Sequence, residues 1–237
     1  MKRIKRDAAD ALFKKINEKR NLLIPVKQAG VTKFAPYFEG AELSDDLLTV
    51  RSAKDLFFPQ VEDLAGFRVS GKAIEVFETR EEVLDFAVFG VRACDARSFE
   101  ILDRVFLKEP EDTYYRERRE HAVIITLACG NPEKTCFCSN FGIDAAAPGG
   151  DVECIEGDEY LYWRAKTDKG EALTAELSDL LEEAGDEPEE FGERQAAIRG
   201  KIKDLPLAGL DLGAFGCGKT KALFDSEKWD LLSEACL

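Results

Sequence analysis

Two short apolar runs, Phe86–Val91 (FAVFGV) and Ala122–Leu127 (AVIITL), limit most tightly what this chain can fold into. Each is six residues long, rich in valine, isoleucine and phenylalanine, and nearly without polar alternation. That pattern predicts strands buried on both faces rather than the edge of an open sheet. Between them, from Ala96, the apolar positions Phe99, Ile101, Leu102, Val105 and Phe106 recur at helical spacing until Pro110. Strand, helix, strand predicts parallel pairing through a right-handed crossover. The expected fold is therefore α/β: a mixed sheet with a parallel strand-helix-strand core and flanking helices.

The flanks are read with the same rules. Ala8, Ala9, Leu12, Phe13 and Ile16 predict an amphipathic opening helix over residues 6–20, and Leu22 to Val26 a short strand. From Gly30 to Gly71 glycine, proline and acidic residues interrupt every periodicity; FFPQVEDL reads as loop and KAIEVFET as a strand. VECIEGDEYLYWRAKT alternates like a half-buried strand or hairpin. From Leu173 to Phe191 the spacing of Leu173, Leu177, Leu180, Leu181 and Ala184 predicts an acidic helix. Residues 1–205 are expected to form the α/β domain and 206–237 a connector ending in a helix.

A formal charge of −14, with 47 acidic residues, argues against nucleic acid or anionic lipid as the main partner, since both select a basic footprint. The basic start MKRIKRDAADALFKKINEKR is not followed by the apolar stretch of a signal peptide, and no run reaches membrane-spanning length. A cytoplasmic location is expected. In that reducing setting seven cysteines do not read as a disulfide framework, and Cys136 and Cys138 are too close to bridge without strain.

Four of the seven are Cys94, Cys129, Cys136 and Cys138, separated by 34, six and one residues. Four thiolates are the ligand count of a cubane iron-sulfur cluster, and a fold can bring one distant ligand to three clustered ones. The predicted topology does this for two of them: Cys94 follows the carboxyl end of the first buried strand and Cys129 that of the second, on the edge where open α/β sheets carry their sites. Gly130, Asn131 and Pro132 supply turn residues before the CFC pair. Arg92 and Arg97 flank Cys94 and would offset the charge of a thiolate-ligated cluster. The same soft ligands suit zinc, and buried structural cysteines remain an alternative. Cys154 reads as core; Cys217 and Cys236 have no visible partner.

Two further patterns are weighed. GAFGCGKT matches a P-loop, with Lys219 and Thr220 in the phosphate and magnesium roles, but the preceding LPLAGLDL is a poor strand because Pro206 and Gly209 interrupt it. His121, the single histidine, would make an enzyme only if it met Cys94 as a nucleophile activated at a helix N-terminus.

GVRACDARSFEILDRVFL, the DTYYRERRE run and VIITLACGNPEKTCFCSNFG together resemble the N-terminal domain of the iron-sulfur beta subunits of cytoplasmic sulfhydrogenase-type nickel-iron hydrogenases, and of the related iron-sulfur subunit of anaerobic sulfite reductase. The likeness is strongest over residues 56–165. It implies a 4Fe-4S cluster on Cys94, Cys129, Cys136 and Cys138, one that oxygen would strip. It also implies an electron-transfer component, non-catalytic itself, whose partners are a flavin-containing subunit and a catalytic subunit. In that family a ferredoxin-like domain with two further clusters follows. FDSEKWDLLSEACL resembles the lead into it, with Cys236 as the first cysteine of its motif, so the expectation is either a sequence truncated at that point or a ferredoxin part carried on a separate chain.

Overall fold

The computed structural model describes residues 1–41, 43–44, 49–80 and 82–234; the side chain of Cys217 and all of Cys236 lie outside that description. Among the described residues the chain forms one eight-stranded mixed sheet and one separate hairpin. The strands are β1 (Lys2–Lys5), β2 (Asn21–Gln28), β3 (Val31–Pro36), β4 (Ala65–Ser70), β5 (Ala73–Glu78), β6 (Phe86–Val91), β7 (Ala122–Leu127), β8 (Val152–Glu156), β9 (Tyr160–Ala165) and β10 (Glu182–Glu183). The large sheet runs β10-β1-β9-β8-β7-β6-β2-β3. Its middle is parallel, β2 with β6, β6 with β7 and β7 with β8, and its flanks are antiparallel. The α/β expectation holds.

Every residue of β6 and β7 is buried, because helices cover both faces of the sheet. The helices are α1 (Ala9–Asn17), α2 (Ala93–Phe106), α3 (Thr113–His121), α4 (Asp168–Glu176), α5 (Glu189–Lys203), α6 (Cys217–Ala222) and α7 (Lys228–Ser233). The two-residue period of a strand sorts the core into layers. Leu22, Ile24, Ala87, Phe89, Val123, Ile125, Cys154 and Trp163 pack with Leu12, Phe13 and Ile16 of α1 and Leu173 of α4. On the other face Phe86, Val88, Ala122 and Ile124 meet Phe99 of α2 and Tyr115 of α3, while Ile155 and Tyr162 meet Phe191, Ile198 and Ile202 of α5. Asp103 ties α2 to α3, accepting from Arg119 Nε at 2.8 Å, Arg119 Nη2 at 2.9 Å and the Tyr115 hydroxyl at 2.6 Å.

The structure departs from the periodicity at three places. The acidic helix expected from Leu173 to Phe191 is two helices, α4 and α5, with β10 between them. Leu173, Leu177 and Leu181 are buried as that pattern requires, but the chain leaves the helix after Glu176 so that Glu182 and Glu183 can pair with Arg3 and Lys2. The region from Gly30 to Gly71 contains β3 and β4, which the breakers concealed. The expected connector from 206 contains a short helix of its own, α6, before the final helix, α7, which is also short.

Candidate metal centre

The site is built where β6 and β7 end. The ladder between them slips at Phe89 and Val91, and the residue between is Gly90, at φ +84°. A Cβ there would meet Pro25 Cγ at 2.9 Å. Glycine thus allows a bulge at the end of the strand, a device that re-aims the residues after it. Those residues are Val91, Arg92 and the first turn of α2, where Cys94 sits.

Arg92 is only 5% exposed. Its Nη1 donates to the main-chain carbonyl of Leu127, the last residue of β7, at 3.3 Å, which locks the two strand ends together. Burial lowers its pKa, opposed by the charges of Cys129, Glu156, Cys94 and Asp95. Arg97, the other flanking arginine, points elsewhere and pairs with Glu100.

Cys129 follows β7 by two residues, and its amide donates to Ala145 O at 2.9 Å. A turn then brings the amide of Cys136 onto Glu133 O at 2.9 Å. Cys138 begins a 3-10 turn that closes at Gly142, in the left-handed region at φ +68°. Cys129, Cys136 and Cys138 are half-buried, and Cys94 stays exposed on one side.

The thiols share one electrostatic neighbourhood. The pKa of Cys129 is pushed up to about 11, first by burial and then by Cys136, Cys94 and Cys138, while Arg92 pulls it down. Cys138 is raised by burial and by Cys136, and Cys94 by burial, Asp95 and Cys138. These thiols are protonated and inert at neutral pH unless an external charge stabilises the thiolates.

Among the described residues no three His, Cys, Asp or Glu side chains converge as a ready-made ion site. In kind and number the four thiols still fit a thiolate-ligated group, since all are soft donors, mutually coupled in charge and set beside a buried guanidinium. Neutral thiols gain no electrostatic energy by closing on one point, so convergence of the four sulfurs depends on a cation that stabilises their thiolates.

The other candidates separate from this site. Cys154 is fully buried in the core. His121 lies at the amino end of β7, the end away from Cys129, with Nδ1 2.7 Å from Asp85 Oδ1. Cys94 follows the carboxyl end of β6, which runs parallel to β7, so the Cys-His pair does not form. At 213–220 no strand leads in; a 3-10 turn at Leu212–Ala214 does, and Lys219 Nζ donates to the carbonyl of Gly213. The lysine that would bind phosphate in a P-loop is turned onto its own loop. Sequence reasoning missed the bulge, whose signal was the single glycine in FAVFGV.

Among the described residues no helix is long and apolar enough to cross a membrane. No protein-family model matches the chain, and no solved structure matches it. Sulfhydrogenase 2 subunit beta of Pyrococcus furiosus is 29% identical over 231 residues, 95% of this chain. The chain spans 65% of that relative's length. The likeness carried by the three motifs thus extends along nearly the whole chain, which is similar to the sulfhydrogenase beta-subunit family.

Proposed function

We propose that this chain is an iron-sulfur redox component of a hydrogenase-type complex, holding a 4Fe-4S cluster through Cys94, Cys129, Cys136 and Cys138. The observation that carries this reading is the electrostatic coupling of those four thiols beside Arg92 at the carboxyl ends of two adjacent parallel strands. The similarity to a sulfhydrogenase beta subunit supports it. When bound, the group supplies one-electron redox chemistry at a potential set by burial, nearby charge and hydrogen bonds.

The protein's own part is to position and tune. Arg92 offsets thiolate charge from inside the sheet edge, where water does not screen it. The amide groups of the first turn of α2 favour the thiolate of Cys94. Phe137 and Phe141 stand exposed beside the cysteines, their rings 5.8 Å apart, and give a redox partner an apolar place to approach. The partners under this reading are flavin-containing and catalytic subunits, the complex is cytoplasmic, and the sulfite reductase type shares the same chemistry.

Purification without oxygen, followed by visible absorption and metal analysis, tests the proposal. A brown protein containing iron and sulfide supports it. A colourless protein with one zinc per chain would replace it with a structural zinc domain on the same ligands.

A further inference from the structure

The two faces of the β4–β5 hairpin differ in how well the chain covers them. Its register pairs Ala65 with Glu78, Phe67 with Val76 and Val69 with Ile74, and the two-residue period of a strand puts these six residues on one face. Gly66 with Phe77, Arg68 with Glu75 and Ser70 with Ala73 make the other. That second face closes on itself: the Phe77 ring lies over Gly66, where a Cβ would meet it at 2.5 Å, and Arg68 stands 5.8 Å from the same ring and 3.4 Å from Glu75. The first face is open. Phe67, Val69, Ile74 and Val76 are between 60% and 73% exposed. Among the described residues they join none of the three core clusters, and β4 and β5 form a sheet of their own. A lone two-stranded hairpin is marginal in water and gains its stability from a packed face or a third strand.

The charges at the two ends of this face are opposite. Gly71, at φ +64°, and Lys72 make the two-residue turn at the tip, and Glu78 ends the apolar row at the base. Among the described residues neither Lys72 nor Glu78 makes an ion pair. Arg80, two residues past Glu78, is turned to α3, where it pairs with Glu117 and donates to Thr113. The face is therefore apolar along its length, positive at the tip and negative at the base.

We propose that this face is the contact surface of a homodimer, hairpin on hairpin, with Lys72 at the tip of one copy against Glu78 at the base of the other. Two identical faces meet under a two-fold axis that lies in the contact plane. An axis along the strands sets tip on tip and base on base, which brings like charges together. An axis across the strands sets each tip on the opposite base, which makes two attractive contacts and covers both apolar rows. Only the second arrangement satisfies the ends and the middle at once, with the side chains meeting as they do between the sheets of a sandwich. Strands of six residues span about 20 Å, so the patch falls short of the roughly 800 Å² per partner of a standard interface, and the dimer is a reversible one of about micromolar affinity or weaker. This contact goes beyond the redox reading and needs no cluster.

Sedimentation velocity of the full chain, from about 1 μM to about 1 mM, tests it. A monomer-dimer equilibrium is expected. Phe67→Lys and Val76→Lys should each weaken it at least about tenfold. Lys72→Glu and Glu78→Lys should each weaken it by about tenfold, because the two-fold axis repeats every altered contact. The double variant Lys72→Glu/Glu78→Lys should return close to wild type, a rescue that local unfolding of the hairpin would not produce. These positions lie outside the core clusters, so melting curves of the variants should match wild type. Wild type that stays monomeric to about 1 mM would overturn the proposal and leave the face to a different subunit. A dimer indifferent to Phe67→Lys, or a double variant no better than the single ones, would overturn it as well.

Discussion

The guanidinium of Arg92 stands close enough to the thiol of Cys129 for its charge to pull that thiol's pKa down, while burial and three other cysteines push it up to about 11. This opposition makes the metal-free site quiet. In protein stripped of metal, alkylation of Cys129 by iodoacetamide is expected to be slow at neutral pH and to rise about tenfold per pH unit until about pH 11. Arg92→Met moves the inflection upward, and Arg92→Lys restores part of the difference. Mass spectrometry of the labelled peptide reads the rate.

The same shift sets a stability trend at alkaline pH. A thiol whose folded pKa is raised favours the protonated form in the folded state. Its contribution is complete below the ordinary value of 9.0 and is lost as pH rises through about 11. The melting temperature of metal-free protein is expected to fall across that window, and Cys129→Ala to flatten the fall.

Asp103 gives the opposite sign. Burial pushes its carboxyl up, but the hydrogen bonds from Arg119 and Tyr115 outweigh burial and hold it below the usual 3.8. Asp103→Asn removes a charged acceptor that binds α2 to α3 and is expected to cost about 2 kcal/mol in urea unfolding at neutral pH. A lowered carboxylate pKa stabilises above the usual value, so the gap between wild type and variant should close as pH falls through and below 3.8.

Gly170, buried in α4, touches the sheet directly. A Cβ there would lie 2.0 Å from the carbonyl oxygen of Asp151 and 2.8 Å from its carbon, atoms fixed next to β8. Gly170→Ala is expected to cost about 3 kcal/mol or more. Gly192, in α5, has nothing within 4 Å of the same position. Gly192→Ala is expected to stabilise by about 1 kcal/mol, since only helix propensity changes. Denaturant unfolding of both variants checks the contrast.

The parts of this fold legible in the sequence were those where one physical signal acts alone. FAVFGV and AVIITL are apolar but for Thr126 because helices cover both faces, so their burial and pairing were readable. VECIE and YLYWRA showed the hairpin through alternation instead, although Val152, Glu153, Cys154 and Ile155 are all buried. The hidden parts were those where tertiary contact overrides local pattern. Leu173, Leu177 and Leu181 keep a helical rhythm across a chain break, because the leucines answer to the core and the break answers to pairing with β1. Strand β4 lies on a hairpin whose Phe67, Val69, Ile74 and Val76 are all exposed, so the chain's own core put no constraint on its sequence. At the site, the topology placed Cys94 and Cys129 on one edge, but nothing in the spacing showed that Arg92 would be buried and Arg97 would not.

Cys154 provides the internal control for the metal centre. It is fully buried, and burial raises its pKa well above the ordinary 9.0, so it has no thiolate to offer. Cys154→Ala should leave iron content unchanged while lowering stability.

The most direct measurement is the acid-labile sulfide and iron count per chain in anaerobically prepared wild type and in the single variants Cys94→Ser, Cys129→Ser, Cys136→Ser and Cys138→Ser. The four-thiolate account predicts about four of each in wild type and a marked loss in every variant, the distant Cys94→Ser included. Wild-type protein without sulfide, or a Cys94→Ser variant that keeps its full complement, would contradict it.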